Sequence, residues 1–119
     1  KQATVKRQVP TVTYQTTTYA KRVMNEKGFN VVTIGSGDSI LKQSPSAGTT
    51  QAEQKRVFLL TNKDWKMPRI IGWSKADVEK FCSLTGLKLE STGSGYADSQ
   101  SINFEKSIDT GDVLKVNFE

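Results

Sequence analysis

Two stretches of this chain have the spacing of an acylating serine. Ser39-Ile40-Leu41-Lys42 satisfies S-x-x-K, and Ser101-Ile102-Asn103 satisfies S-x-N. In that chemistry the serine opens a helix with its lysine one turn away, and a K-T-G strand lines the site inside a large domain. No K-T-G occurs, Ser39 comes after a glycine turn, and 119 residues cannot supply the scaffold, so both matches are read as accidents. Gly35-Ser36-Gly37 raises a different possibility, a loop that cradles phosphate. Such a loop needs a strand before it and a helix N-terminus after it. Directly after Gly37 stand Asp38-Ser39-Ile40-Leu41-Lys42 and then Ser44-Pro45, a poor helix start. The absence of histidine removes the commonest general base and metal ligand, and a single cysteine excludes an internal disulfide or a cysteine-based zinc site. No catalytic residue, metal or cofactor is expected in this chain.

Residues that could bind are easier to find. Residues 1–62 hold nine Lys/Arg against three Asp/Glu, whereas residues 63–119 hold eight against nine. The basic surplus is therefore local to the first half. Lys21, Arg22 and Lys27, with Lys55 and Arg56, could meet carboxylates or phosphates of an anionic polymer, or form a solvated basic face. A nucleic acid shares these electrostatics, but the basic half lacks interleaved exposed aromatics, so no nucleic-acid partner is expected. Trp65 and Trp73 flank the middle of the chain, where they either fill a contact or offer a stacking platform for a sugar ring. No apolar run of about 18 residues exists, so no membrane contact is expected in this stretch. The start at Lys1 without methionine or signal peptide suggests a fragment of something longer, whose membrane anchor lies elsewhere. Low cysteine use fits a Gram-positive cell surface and a cytosol alike.

An internal repeat dictates how these residues are positioned. A shift of 58 places Val9-Pro10 on Met67-Pro68, Val12 on Ile70, Thr16 on Ser74, Ala20 on Val78, Gly28-Phe29 on Gly86-Leu87 and Gly35/Gly37 on Gly93/Gly95. After a one-residue deletion the shift is 57, and residues 43–62 run without a gap beside residues 100–119. Two units, 1–62 and 63–119, account for nearly the whole chain. Each begins with an extended segment ending in X-Pro, continues as a helix, and finishes as three strands. Ser74 is the expected N-cap of the second helix, with Asp77 favourable to its dipole. Val78, Phe81, Cys82 and Thr85 share one face, and Gly86 is the expected left-handed stop. The first helix presents Ala20, Val23, Met24 and Lys27, stops at Gly28, and has in Thr16 a cap without an acidic partner. Cys82 aligns with Met24, which makes it a buried small hydrophobe. After each helix the period becomes two: Phe29, Val31 and Thr33 alternate with Asn30, Val32 and Ile34. The Gly-Ser-Gly tripeptides are expected to be tight hairpin turns. Arg56–Thr61 and Val113–Phe118 are the closing strands.

This order of features resembles the PASTA domain, the small βαββ-type module found in penicillin-binding proteins and bacterial serine/threonine kinases. The residues that carry it are a V-P-x-V or M-P-x-I lead-in, a helix ending at Gly, the Q-x-P-x-x-G-T signature at residues 43–49, and the final R-V-F-L-L and L-K-V-N-F strands. The second unit loses the signature's proline and glycine at residues 100–106, and the first lacks the Gly72-Trp73-Ser74 helix start, reading Tyr14-Gln15-Thr16. Such degenerate copies, just two in number, look like the C-terminal pair of a division-type class B penicillin-binding protein. The resemblance implies an α+β fold of two small repeats, each one helix packed on a three-stranded sheet in a βαβββ-like order. It further implies a non-catalytic module at the septum, on the outer face of a Gram-positive-type cytoplasmic membrane. Peptidoglycan or muropeptides, the transpeptidase domain of the same chain and divisome proteins are the implied partners. Lys21, Arg22, Lys55, Arg56, Trp65 and Trp73 are the binding residues it suggests. The alternative is the muropeptide-sensing ectodomain of a serine/threonine kinase.

Overall fold

The computed structural model describes residues 5–119. The chain is mixed α and β, and it divides into two compact units, the first reaching Asp64 and the second running Trp65–Glu119. The first unit contains β1 (Lys6–Gln8), α1 (Thr17–Glu26), β2 (Asn30–Ile34), β3 (Ile40–Ser44), β4 (Thr50–Ala52) and β5 (Arg56–Thr61). The second contains α2 (Lys75–Thr85), β6 (Lys88–Gly93), β7 (Ala97–Gln100) and β8 (Val113–Phe118). Both closing strands have the bounds expected from their hydrophobic runs.

Both helices start where a short polar side chain can satisfy an orphan N–H. Thr16 Oγ1 accepts from the Tyr19 N–H and Ser74 Oγ from the Asp77 N–H, and only the second helix has an acidic residue in its first turn. Gly86 ends α2 at φ 80°, where its N–H donates to the Cys82 carbonyl. The buried face of α2 is Val78, Phe81, Cys82 and Thr85; that of α1 is Ala20 and Met24, which join Val9, Val12, Phe29, Ile40, Val57 and Leu59 in one cluster. Burial of each large aliphatic or aromatic side chain contributes about 1.5–3 kcal/mol, so these two stripes hold the helices to their sheets.

Each three-stranded sheet has its last strand in the middle. The orders are β2-β5-β3 and β6-β8-β7, the first pair parallel and the second antiparallel in each case. The first unit adds a two-stranded pair, β1 with β4, which the second reduces to a single bridge between Lys66 and Ser107. This order corrects the expected hairpins. β2 and β3 do run in opposite directions, but they do not pair, because β5 lies between them. The glycine tripeptides therefore wrap over the end of the central strand. A Cβ at Gly37 would meet the Asn62 side chain and backbone, and one at Gly93 or Gly95 the carbonyl of Phe118 or Glu119. Gly93 and Gly95 combine this close approach with left-handed φ of 74° and 105°, while Gly35 is demanded by its φ of 94° and Gly37 by crowding. The alternation read in β2 is also incomplete, since Ile34 is buried on the face opposite Val31.

Two repeated devices hold the lead-in segments. Gln43 accepts from the Val12 N–H and donates to the Pro10 and Pro45 carbonyls; Gln100 accepts from the Ile70 N–H and donates to those of Pro68 and Ile102. One amide thus satisfies both sides of a segment that has no strand partner there. The second device is a set of left-handed positions. Tyr14 (φ 66°) matches Gly72 (91°), Glu105 (71°) matches Gly48 (85°), and Gln54 (68°) matches Gly111 (96°). The backbone is retained in both copies even where glycine is not, so the lost signature glycine at Glu105 alters no turn.

Replacing Gln43 or Gln100 by Ala should cost about 2 kcal/mol, since three hydrogen bonds of about 0.5–1.5 kcal/mol net are lost and backbone groups are left unpaired. Amide exchange should accelerate at Val12 in the first variant and at Ile70 in the second; protection retained at both would contradict the clamp. Tyr14→Gly and Glu105→Gly should each stabilise the fold by about 0.5–1 kcal/mol. Relief of about 1–2 kcal/mol of left-handed strain outweighs glycine's extra freedom when unfolded, about 0.5–1 kcal/mol. Urea midpoints that fall in both variants would refute this.

Candidate functional site

Neither serine motif has catalytic geometry. Ser39 forms an isolated bridge with Thr16, and Lys42 lies in β3, so the pair is not on a helix. Ser101 Oγ accepts the Lys115 N–H at 2.8 Å and serves the sheet. Cys82 is buried in the helix face, and burial, with a smaller contribution from the charge of Glu79, pushes its thiol up to about 12. It is an inert core residue.

The basic residues of the first unit fall in two places. Lys21 and Arg22 are both exposed on α1, away from its Ala20 and Met24 stripe, and the Arg22 guanidinium lies 5.5 Å from the Tyr19 ring centre. Lys55 and Arg56 sit where β5 begins, the carbonyl of Lys55 accepting from the Asn30 N–H at 2.9 Å. Lys27 caps α1 beside this turn, because the Gly28 carbonyl accepts from the Gln54 N–H. An acid interrupts the array: Glu53 pairs with Arg7 at 4.0 Å, an exposed contact worth little in stability but enough to dilute the local positive field.

The tryptophans separate. Trp73 is 7% exposed and meets Phe81 edge-on at 6.2 Å, so it belongs to the core of the second unit. It cannot serve as a sugar platform, which corrects that expectation: its place one residue before the N-cap turns the ring under the helix. Trp65 is half-buried, and its carbonyl accepts from the Ile108 N–H.

A concave surface that sequence reasoning missed lies on the outer face of the second sheet. β8 alternates, with Leu114, Val116 and Phe118 buried and Val113 and Lys115 exposed. Glu90 stands opposite Lys115 and Thr92 opposite Asn117 on β6, while Ser99 flanks Asn117 from β7. Together with Ser101 these residues line a groove of about 600 Å³. Thr92 Oγ1 donates to Asn117 Oδ1 at 2.7 Å, and Asn117 Nδ2 donates to Asp98 Oδ1 at 2.9 Å. A signal was present. At the matching positions of the first copy stand Val32, Ile34, Phe58 and Leu60, so four apolar residues have become Glu90, Thr92, Lys115 and Asn117.

Comparison with known proteins agrees with this fold. Residues 7–63 match the PASTA domain family. The first unit is therefore similar to a PASTA domain over nearly its whole length, and the second unit repeats its three-stranded sheet and helix. PASTA domains are extracellular, non-catalytic modules that bind peptidoglycan. Penicillin Binding Protein 2X from Streptococcus thermophilus is similar in structure, with a TM-score of 0.82 at 20% identity over 97% of this chain. The match spans 17% of that protein's length. The three-PASTA-domain of a Ser/Thr kinase from Staphylococcus aureus gives 0.41 at 20% identity, over 93% of this chain and 66% of that one. The entire extracellular region of a Ser/Thr kinase from the same organism gives 0.41 at 19%, over 98% and 47%. Scores of 0.41 are too low to bear on the fold. Among the described residues, no helix is long and apolar enough to cross a membrane.

The thiol has a pH signature. Its pKa is raised in the folded state, so the unfolded chain loses this proton first, and stability should fall as pH rises from about 9 to about 12. Cys82→Val should flatten that part of the profile relative to the parent chain. A parent thiol that reacts with a disulfide reagent at pH 8 as fast as an unfolded control would contradict the burial.

Proposed function

We propose that this chain is a tandem pair of PASTA repeats, residues 1–62 and 63–119, from a septal penicillin-binding protein. It recognises and positions, and performs no chemistry. Its partners are peptidoglycan, the transpeptidase domain of the same chain and divisome proteins, met on the outer face of the cytoplasmic membrane. The observation that carries this reading is the likeness in fold to penicillin-binding protein 2X, which extends over both units. Lys21, Arg22, Lys55 and Arg56 are the residues proposed to meet wall carboxylates or phosphates, with Trp65 as the remaining aromatic contact. Each such exposed charge contact is worth about 0.2–1 kcal/mol, so affinity comes from several at once and falls with salt.

Co-sedimentation with purified Gram-positive peptidoglycan at low and moderate salt tests this. The chain should pellet with the wall at low salt, and Arg22→Glu with Lys55→Glu should weaken retention by about tenfold, about 1.4 kcal/mol. Failure to sediment at low salt overturns wall recognition. Undiminished retention of the double variant overturns the assignment to these residues.

A further inference from the structure

The groove on the second sheet goes beyond the wall-binding proposal, because it uses other residues and a different balance of charge. Along β8 the exposed side chain of Lys115 is succeeded, two positions on, by the half-exposed one of Asn117. Glu90 faces Lys115 across the parallel pair, yet no ion pair joins them. Among the described residues, no hydrogen bond or ion pair holds the Lys115 ammonium. Asn117, by contrast, is fixed: the Thr92 hydroxyl and the Asp98 carboxylate engage both ends of its amide. The groove thus presents a cation at Lys115 and, from Thr92, Ser99, Ser101 and Asn117, hydroxyls and an oriented amide; the exposed Asp98 carboxylate lies just outside this lining, bonded to Asn117.

Spacing narrows the ligand. Two residues along a strand and one strand across separate the Lys115 and Asp98 positions by about 8 Å. An extended chain covers about 3.3–3.6 Å per residue, so a dipeptide or tripeptide spans that gap. Its free carboxylate reaches the ammonium and its free amine the acid. Asp98 at the far end favours a zwitterion over a dicarboxylate, since a second anion there is repelled, whereas Glu90 beside Lys115 weakens the hold on the carboxylate and keeps affinity in the millimolar range. A sugar lacks the charges to use both ends. We propose that this groove binds a short peptide with both termini free, its carboxylate on Lys115, its ammonium on Asp98 and its amides on Asn117 and the flanking hydroxyls.

The shared backbone of the two copies strengthens the assignment. Glu90 opposite Lys115 and Thr92 opposite Asn117 repeat the register of Val32 opposite Phe58 and Ile34 opposite Leu60. In the first copy Ile34, Phe58 and Leu60 are at most 1% exposed. The second copy presents at the same places a charged pair and a bonded Thr-Asn-Asp array.

The test is an NMR titration of the labelled chain with trialanine, and with N-acetyl-trialanine amide as the uncharged control. Trialanine should give saturable shifts at Glu90, Thr92, residues 98–100 and residues 115–117, at millimolar concentration, and the capped peptide should bind at least tenfold more weakly. Lys115→Gln and Asp98→Asn, both at exposed positions, should each abolish the saturable shifts. No saturable shift up to the solubility of trialanine, equal binding of the capped peptide, or binding retained by both variants overturns the proposal. Co-sedimentation of Lys115→Gln with peptidoglycan separates the two proposals. Wall retention kept in Lys115→Gln together with loss of its trialanine shifts supports two separate sites, whereas wall retention lost in Lys115→Gln with trialanine binding kept overturns the groove as a peptide site.

Discussion

The insertion of the last strand of each unit between two earlier ones is the constraint on which that unit depends. β5 and β8 pair on both sides, parallel to one neighbour and antiparallel to the other. Neither β2 nor β3 has a sheet partner until β5 arrives, so the sheet, the helix that covers it and the turn that crosses its end must form together. Such non-local closure costs loop entropy before any pairing is gained. It also explains why the glycine turns are crowded: the connection from β2 to β3 must clear a strand it does not belong to. In the first unit Thr61 joins these parts, its hydroxyl donating to the Ile34 carbonyl at 2.9 Å and accepting the Gly37 N–H at 3.1 Å.

The Gln43 and Gln100 clamps complete the closure at the other end. Prolines at 10 and 68 suit an extended lead-in but leave it without a ladder, and an unpaired backbone group costs about 1–3 kcal/mol when buried. Val9, Val12, Met67 and Ile70 can be buried because a side-chain amide takes over the pairing that a strand would supply. The signature glutamine is therefore structural in both copies. It survives in the second copy, where the signature's proline and glycine do not.

Much of this was legible in the sequence, for physical reasons that differ by element. Helix ends were readable because capping is local: Thr16, Ser74, Gly28 and Gly86 act within a few residues of themselves. The closing strands were readable from their hydrophobic runs. Strand order was not, since Gly35-Ser36-Gly37 looks alike whether it folds a hairpin or spans a strand, and only the distant β5 decides. Trp73 was misjudged as a possible platform because a large ring before an N-cap has no periodic neighbour to show which way it turns. The positions of the basic residues on α1 and at the start of β5 were readable, but the acid Glu53 between them in space is near them only through the Gly28–Gln54 turn. The polar groove escaped because its residues are ordinary in a single strand; it stands out only when the two copies are subtracted.

That subtraction has a wider use in this chain. The two copies share a backbone down to three left-handed turn positions, one of each pair occupied by a residue that adopts such a φ at a cost. Because the main chain is held constant, a difference in side chains at matching positions does not report a difference in fold. It reports what each surface must meet. Replacing four apolar residues by Glu90, Thr92, Lys115 and Asn117 removes hydrophobic burial worth about 1.5–3 kcal/mol per side chain from that face. The helix stripe of Val78, Phe81, Cys82 and Thr85 is fuller than its counterpart in α1, which offsets part of that loss. The second repeat thus keeps its core on the helix side of the sheet, and the polar character of its other side reflects what that surface meets and not what the backbone requires.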